Sequence, residues 1–417
     1  MSTHGLARLL SRSAVAQALS SLVSFGLSLF VILKAPKEDF GLFSLVLAAL
    51  WLGVAAANAL VGLQMPVLYD HGKQEAGYFA TLYQVLLRGA LLVSVGVALL
   101  AALACWGGWL PMRGLWLVLA TLCLLVVQVT VEFVRQMHFM LEAIAAVVRM
   151  RLVSMAVIAS GCAGLWRLDG VDFLLACLAL YALGQLVGLV FADWSRLMPG
   201  QASGLTAMTR RAWRQGRWAL LNSLFLWLAS QGFLYLLSLY AGLGAVAEVN
   251  AAYNFVAPLI LLSTSFMQVM LPRMSAIVDQ DAAGVTALRH TVLRVLAGIV
   301  VGYALLLWLL FPWVESRFLA VRGYRDVGLY VGLWLVAMAV TFYRGNLAVV
   351  LQAMNRYHRI ARLSSLYALL GLGLALALIP PWAGLGALLA RALNEGIFVV
   401  LLRRALIGER RLKAWQW

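Results

Sequence analysis

The sequence predicts an all-α polytopic membrane protein with about twelve transmembrane helices in two parallel six-helix lobes around a central cavity. The chain of 417 residues is 64% hydrophobic and only 12% charged. Its apolar residues fall into stretches of roughly twenty, the length that crosses a hydrocarbon core about 30 Å thick. The predicted spans are 14–33, 40–66, 85–105, 114–134, 148–166, 173–192, 218–240, 249–271, 292–313, 327–349, 361–380 and 384–403.

The basic residues predict the orientation of these spans. Of the 32 Lys and Arg residues, 23 fall on one set of alternate segments and seven on the other, while Arg344 and Arg391 lie inside spans. Cytoplasmic segments carry the excess of positive charge, so both termini are expected in the cytoplasm. The net charge of +16 is dispersed over short segments and indicates contact with lipid headgroups, not a nucleic acid partner. The first span is too long for a cleaved signal peptide.

A basic hydrophilic stretch near the middle predicts two related halves. Asp39 opens the second span, and Pro66 follows 27 residues later, while Glu248 and Pro272 mark a matching segment of 24 residues in the second half. Halves with an even number of spans start on the same side of the membrane and form parallel repeats. We expect an N-terminal lobe at 1–195, a basic cytoplasmic linker at 196–217, a C-terminal lobe at 218–403 and a basic cytoplasmic tail at 404–417.

Polar residues at helical spacing follow one face of the first two spans in each half. Small polar side chains also hold helices together in membranes, so each such residue alone has two interpretations. Four corresponding stripes in two related halves favour a polar path for a substrate. The candidate ligands on or beside these stripes are Gln17, Asn58, Asn222, Asn254 and Gln268.

Ionisable residues inside spans are costly and point to function. Arg344 lies in the tenth span, and Arg391 and Glu395 are four residues apart in the twelfth, close enough to pair along the helix. Glu248 opens the eighth span, where a carboxylate complements the helix dipole. We expect Arg344 and Arg391 to bind substrate, and Glu395 and Glu248 to act in ion pairs or in coupling.

Motifs of enzymes and metal proteins are absent from the sequence. It has no Walker loop, no HExxH and no G-x-S-x-G, and its five histidines are scattered. The four cysteines lack CxxC spacing, which indicates buried free thiols. Glu132 and Arg135, near the cytoplasmic end of the fourth span, are expected at the membrane interface. The sequence therefore predicts no catalytic residue, cofactor, metal site or disulfide.

Five short segments, in order and at their spacing, resemble polysaccharide-transport flippases of the Wzx type. This family belongs to the multidrug/oligosaccharidyl-lipid/polysaccharide exporter superfamily. The resemblance covers essentially the whole chain. The segments are 38–45 opening the second span, 216–221 opening the seventh, 251–254 in the eighth, Leu271-Pro272 at its end and 351–356 after the tenth.

The resemblance implies transport of an undecaprenyl-diphosphate-linked oligosaccharide, such as an O-antigen or exopolysaccharide repeat unit, across the bacterial inner membrane by alternating access. It implies a cavity lined by the first, second, seventh and eighth helices. A glycan polymerase and a chain-length regulator are possible partners, and a monomer is expected. Related flippases often carry arginines in cavity helices, whereas here Arg12 and Arg273 lie only at their cytoplasmic ends. Arg344 and Arg391 would supply the central charge, or the cavity is nearly neutral.

Three other functions remain open. A cation-coupled drug or metabolite antiporter of the same superfamily would need a carboxylate inside a lobe, and the first span has none. A membrane glycan polymerase or ligase would need a substantial periplasmic loop, but the longest predicted one, 312–326, has only Glu315 and Asp326 as carboxylates. A membrane scaffold without transport is the third.

Overall fold

The computed structural model describes residues 22–62, 65, 77–108, 111–141, 143–168, 172–194, 205–277, 282–354 and 357–407. Every regular element in these ranges is helical, and a helix satisfies its own backbone hydrogen bonds, as hydrocarbon surroundings require. The helices are α1 Leu22–Lys34, α2 Lys37–Ala57, α3 Tyr78–Trp106, α4 Met112–Met140, α5 Ile144–Leu165, α6 Phe173–Val190, α7 Leu205–Ile277, α8 Ala282–Val314, α9 Val327–Ala353 and α10 Tyr357–Ile407. A π turn follows α2 (Asn58–Gly62), and a π turn (Glu315–Leu319) and a 3-10 turn (Ala320–Arg322) follow α8.

Two of these helices bend at a residue with non-helical backbone angles. The bend in α7 is at Gly242, whose φ of 80° lies in the left-handed region that glycine adopts freely. The bend in α10 is at Ala383, with φ 46°, shortly after two prolines. The Arg359 side chain donates to the Ala405 carbonyl at 3.3 Å, so the two arms of α10 lie side by side as a hairpin. We name the arms α7a (205–241), α7b (243–277), α10a (357–382) and α10b (384–407).

The helices account for the predicted spans. Nine helical segments among the described residues are long and apolar enough to cross a membrane. Two of them, Gly216–Ile260 with 45 residues and Arg362–Ile407 with 46, run through the bends. At 1.5 Å per residue each measures about 68 Å, enough for two crossings. Each predicted span overlaps a helix or an arm, although only the second half of the first span is described. The predicted fold class, an all-helical polytopic membrane protein, is confirmed.

The helices form two compact units. Among the described residues, the N-terminal unit contains the chain up to Ala35 and Val46–Leu224, and the C-terminal unit contains Pro36–Leu45 and everything from Phe225 onward. The start of α2 therefore packs within the C-terminal unit. Residues 205–217, which the sequence assigned to a linker, form the first turns of α7. The lobe boundaries at 195 and 218 stay a prediction.

Small residues allow close helix packing in the N-terminal unit. α6 packs along α5, and a Cβ atom at Gly188 would overlap the Ser154 hydroxyl and the Met150 carbonyl of α5. A Cβ at Gly184 would likewise overlap Ile158. Helices in lipid associate through this kind of close backbone approach, because lipid tails remove the hydrophobic drive between helices. The α5–α6 pair therefore depends on these glycines.

Replacing Gly188 by alanine should destabilise the N-terminal unit. The added methyl must displace the Ser154 side chain or the helix backbone, and such overpacking costs typically about 1–3 kcal/mol. We expect a lower midpoint of thermal unfolding for detergent-solubilised Gly188→Ala, followed by tryptophan fluorescence. Gly96→Ala is the matched control, because a Cβ at Gly96 of α3 meets nothing within 4 Å. Equal midpoints for the two variants would contradict this packing argument.

Candidate functional site

A cluster of charged and aromatic side chains lies inside the C-terminal unit, where α9, both arms of α10 and α7a meet. Its centre is Glu395 of α10b, whose side chain is 0% exposed. Arg344 of α9 places its Nε 2.8 Å from Glu395 Oε2. The Tyr367 hydroxyl of α10a donates to Glu395 Oε1 at 2.7 Å. A carboxylate away from water requires partners of this kind, and here a cation and a neutral donor supply them.

Aromatic rings hold Arg344 in place. Its guanidinium lies 5.4 Å from the ring centre of Tyr367 and 5.5 Å from that of Phe398. The two rings contact each other with centres 4.7 Å apart. The amide of Asn394 donates to the Tyr367 carbonyl at 3.1 Å and ties the two arms of α10 together at this level. The cluster is therefore built on rigid helices, not on loops.

The expected pair between Arg391 and Glu395 along one helix does not form. The Arg391 guanidinium lies 5.0 Å from the ring centre of Trp334 and 6.0 Å from that of Phe233. Its Nη1 donates to the Ser230 carbonyl at 3.3 Å. A spacing of four residues makes contact possible, but these aromatic faces and a backbone acceptor attract Arg391 instead. The partner of Glu395 is Arg344, which lies on a different helix.

The cluster contains more positive than negative charge. Arg391 forms no ion pair with a carboxylate in the part of the chain that the structure describes. Arg344 and Glu395 neutralise each other, so Arg391 contributes the surplus charge. The structure thus brings three predicted site residues, Arg344, Arg391 and Glu395, into one cluster.

Glu248, the other predicted carboxylate, lies in a second ion pair of the same unit. Its Oε1 is 2.6 Å from Lys37 Nζ at the start of α2 and accepts the backbone N–H of Arg325 at 2.9 Å. Lys37 also donates to the Gly323 carbonyl at 3.2 Å. The Glu248 side chain therefore joins α7b to the start of α2 and to the loop before α9. Its role in coupling stays a prediction.

The N-terminal unit has a polar network of its own around Asn58. The Gln136 amide donates to Asn58 Oδ1 at 2.6 Å and to Glu132 Oε1 at 3.2 Å. Glu132 also pairs with Arg135, and its side chain is 19% exposed. Asn58 begins the π turn after α2, and π turns often occur at functional sites. Sequence reasoning placed Glu132 and Arg135 at the interface and did not connect them with Asn58.

Sequence reasoning also missed the burial of Arg151. Counted among the cytoplasmic basic residues, Arg151 is only 7% exposed in α5. Its Nη1 donates to the Gln185 amide oxygen of α6 at 3.0 Å. In sequence Arg151 looks like the exposed Arg149 two residues before it, so no local signal distinguishes a buried arginine from a topogenic one.

The remaining predicted polar ligands are placed only in part. Asn222 lies half-buried in α7a and belongs to the N-terminal unit. Asn254 lies in α7b and donates to the Asn250 carbonyl of its own helix at 3.0 Å. Gln17 lies outside the described residues, and so does the side chain of Gln268. Their contact with a substrate stays a prediction.

The Arg344–Glu395 pair should show strong coupling in unfolding experiments. Arg344→Ala leaves a carboxylate buried and unpaired, which costs about 3–5 kcal/mol. The double variant Arg344→Ala/Glu395→Gln removes that charge, so its unfolding midpoint should recover much of the loss. The measurement is thermal unfolding of the purified chain in detergent.

Arg362→Ala, at an exposed position of α10a, is the control for the general loss of a guanidinium and should unfold near the wild-type midpoint. If the losses of stability in the single variants Arg344→Ala and Glu395→Gln simply add up in the double variant, the two side chains do not interact in solution.

Comparison with known proteins identifies the fold of the chain. No protein-family model matches the sequence, and no curated protein matches it. Solved structures are similar over nearly the whole chain. An inward-facing multidrug resistance MATE family transporter of the MOP superfamily matches with a TM-score of 0.70 and 12% identity, covering 94% of both chains.

Two further solved structures agree. The lipid II flippase MurJ in an inward closed conformation matches with a TM-score of 0.74 and 11% identity, covering 94% of this chain and 86% of its own. An outward-facing MATE family transporter of the MOP superfamily matches with a TM-score of 0.60 and 13% identity, covering 98% of this chain and 95% of its own. These identities show the fold alone, so the narrower Wzx-type resemblance stays a prediction. The chain has the fold of MOP superfamily transporters.

Proposed function

We propose that this protein is a flippase that moves a polyprenyl-diphosphate-linked oligosaccharide across the bilayer without covalent chemistry. The observation that carries the proposal is the surplus positive charge of the Arg344–Glu395–Arg391 cluster inside the C-terminal unit. The MOP fold is shared by a lipid II flippase and by multidrug transporters, so the fold leaves the substrate open. A positively charged interior favours an anionic substrate over a cationic drug.

Arg391 has the chemistry to bind a diphosphate. A diphosphate cannot cross hydrocarbon unaided, and a guanidinium presents a planar fork of donors that matches phosphate oxygens. The Arg391 side chain is half-buried and its hydrogen-bond partner, the Ser230 carbonyl, is neutral. A phosphate oxygen forms a stronger, charge-assisted bond than that carbonyl. Arg391 can therefore exchange the carbonyl for a substrate oxygen.

The rest of the proposal follows the sequence. Arg344 contributes to the same positive site, and an oligosaccharide would form hydrogen bonds with Gln17, Asn58, Asn222, Asn254 and Gln268. We place the protein in the bacterial inner membrane with both termini in the cytoplasm, as the distribution of Lys and Arg predicts. The proposed partners are a glycan polymerase and a chain-length regulator, acting after the lipid-linked unit reaches the periplasmic leaflet.

Removing the Arg391 guanidinium should slow flipping strongly. A hydrogen bond to a charged group is worth about 1.5–3 kcal/mol, so we expect Arg391→Ala to reduce the rate about tenfold or more. Arg391→Lys should recover part of the rate, because the charge remains while the planar fork is lost. The measurement is translocation of a purified polyprenyl-diphosphate-linked oligosaccharide in proteoliposomes.

Arg403→Ala, at an exposed position of α10b, is the matched control and should flip at the wild-type rate. A wild-type rate for both Arg391→Ala and the double variant Arg344→Ala/Arg391→Ala would remove the arginines from the substrate site. Failure of the wild-type chain to flip any such lipid, with transport of a cationic drug in its place, would overturn the proposed function.

The second candidate function is a cation-coupled antiporter, and the fully buried Glu395 is the observation that favours it. A carboxylate inside a transport protein can carry a proton through the cycle. Its ion pair with Arg344 favours the structural role instead, since loss of the carboxylate charge would leave the guanidinium without its ionic partner.

Glu395→Gln separates these two roles. If Glu395 only pairs with Arg344, the variant should unfold at a lower temperature while the pH dependence of transport stays as in the wild type, which is the result we expect. Tyr367→Phe is the control, because it removes the donor to Glu395 and keeps the carboxylate. A flattened pH dependence in Glu395→Gln, with wild-type dependence in Tyr367→Phe, would establish proton coupling instead.

A further inference from the structure

An apolar groove runs between α8 and α9 on the C-terminal unit, apart from the charged cluster. Its volume is about 550 Å³, within the range of about 300–1,000 Å³ typical of small-molecule sites. The side chains that form its walls are aliphatic and aromatic. They include Val301, Leu305, Trp308, Phe311, Val331 and Leu335.

Glycines on α9 keep the groove open. Gly328 and Gly332 both line it, and a Cβ atom at Gly332 would meet nothing within 4 Å. The opposite wall is a surface of α8, where Trp308 is 77% exposed. Only 11% of the most apolar 18-residue stretch of this helical segment is buried inside the protein. Such an apolar surface on a membrane span faces lipid tails, not water. The groove is therefore open to an acyl chain from the bilayer.

One charge lies in this apolar surface. Glu315, the first residue of the π turn after α8, is the sole ionisable side chain among the described residues that line the groove. It is half-buried, and its Oε1 lies 3.4 Å from the backbone N–H of Gly328, a long hydrogen bond. A carboxylate with so little compensation attracts a cation or a strong donor.

Two arginines follow Glu315 in the same short connection. Arg317 and Arg322 are exposed, and neither forms an ion pair among the residues that the structure describes. The groove lining thus contains a carboxylate, and two exposed guanidinium groups belong to the connection that follows it. This combination of charges complements a zwitterionic headgroup, whose terminal ammonium can pair with the carboxylate while its phosphate pairs with a guanidinium.

We propose that the groove binds one acyl chain of an aminophospholipid, with the headgroup ammonium on the Glu315 carboxylate. The charge decides against the polyprenyl tail of a transported lipid as the occupant, because a polyprenyl diphosphate has no cationic group to pair with Glu315. An ethanolamine headgroup fits better than choline, since a primary ammonium donates hydrogen bonds and a quaternary one does not. This site is independent of the transport function proposed above.

Native mass spectrometry of the purified full chain tests the headgroup. The protein is released from nanodiscs with equal amounts of phosphatidylethanolamine, phosphatidylcholine and phosphatidylglycerol. We expect wild-type protein to retain phosphatidylethanolamine preferentially. Glu315→Gln should lower that retention about tenfold or more, the effect of losing one charged hydrogen bond, and leave phosphatidylcholine unchanged. Asp326→Asn, in the loop just beyond the groove, is the matched control and should bind as the wild type.

A second pair of variants tests the groove itself. Gly332→Leu fills open space in the groove and should abolish retention of phosphatidylethanolamine without loss of folded protein. Gly373→Leu on α10a is its control, because a Cβ there also meets nothing within 4 Å.

Three results would overturn the proposal. They are equal retention of all three lipids by the wild type, unchanged retention in Glu315→Gln or Gly332→Leu, and displacement of phosphatidylethanolamine by added polyprenyl phosphate. The last would make the polyprenyl tail the occupant. None of these results depends on whether Arg391 acts in flipping.

Discussion

Charge inside hydrocarbon must be compensated by the protein itself, and this constraint arranges the polar residues of both units. Glu395 in the C-terminal unit contacts one guanidinium, of Arg344, and one neutral donor, the Tyr367 hydroxyl. Glu132 in the N-terminal unit contacts Arg135 and the Gln136 amide in the same way. Each carboxylate thus has a cation and a neutral donor. The two units compensate a carboxylate with the same two kinds of group, although the partners of Glu132 lie on its own helix and those of Glu395 come from α9 and α10a.

Each unit also holds an arginine that forms no ion pair with a carboxylate among the described residues. Arg391 lies between aromatic rings and a backbone carbonyl, and Arg151 binds the Gln185 amide. Neutral acceptors and ring faces compensate a guanidinium less completely than a carboxylate does. The anionic substrate proposed above would be attracted to this surplus positive charge. The surplus charge also costs stability, which a protein selected for packing alone would avoid.

The sequence was sufficient for the helices and insufficient for their contacts. Hydropathy over about twenty residues is a local property, so the spans, including the pair that meets at Ala383, followed from composition. The partner of Glu395 could not be predicted from the sequence, because Arg344 lies on another helix. The four-residue spacing between Arg391 and Glu395 shows only that the two side chains are near each other, not that they pair. The network of Asn58 was hidden for a similar reason. It depends on a π turn, and the helical periodicity used to align polar residues assumes regular α-helix.

The hairpin of α10 bears on how the protein enters the membrane. Arg391 and Glu395 make α10b a poor candidate for insertion alone, since each charged residue at a helix centre costs about 2.5–3.5 kcal/mol. Only the tight bend at Ala383 separates α10b from α10a, which contributes Tyr367. Arg344 lies on α9, which comes before both arms in the chain. During synthesis, the partners of Glu395 are therefore made before Glu395 itself. The order of the helices along the chain thus lets the last arm enter the bilayer together with the groups that compensate its charge.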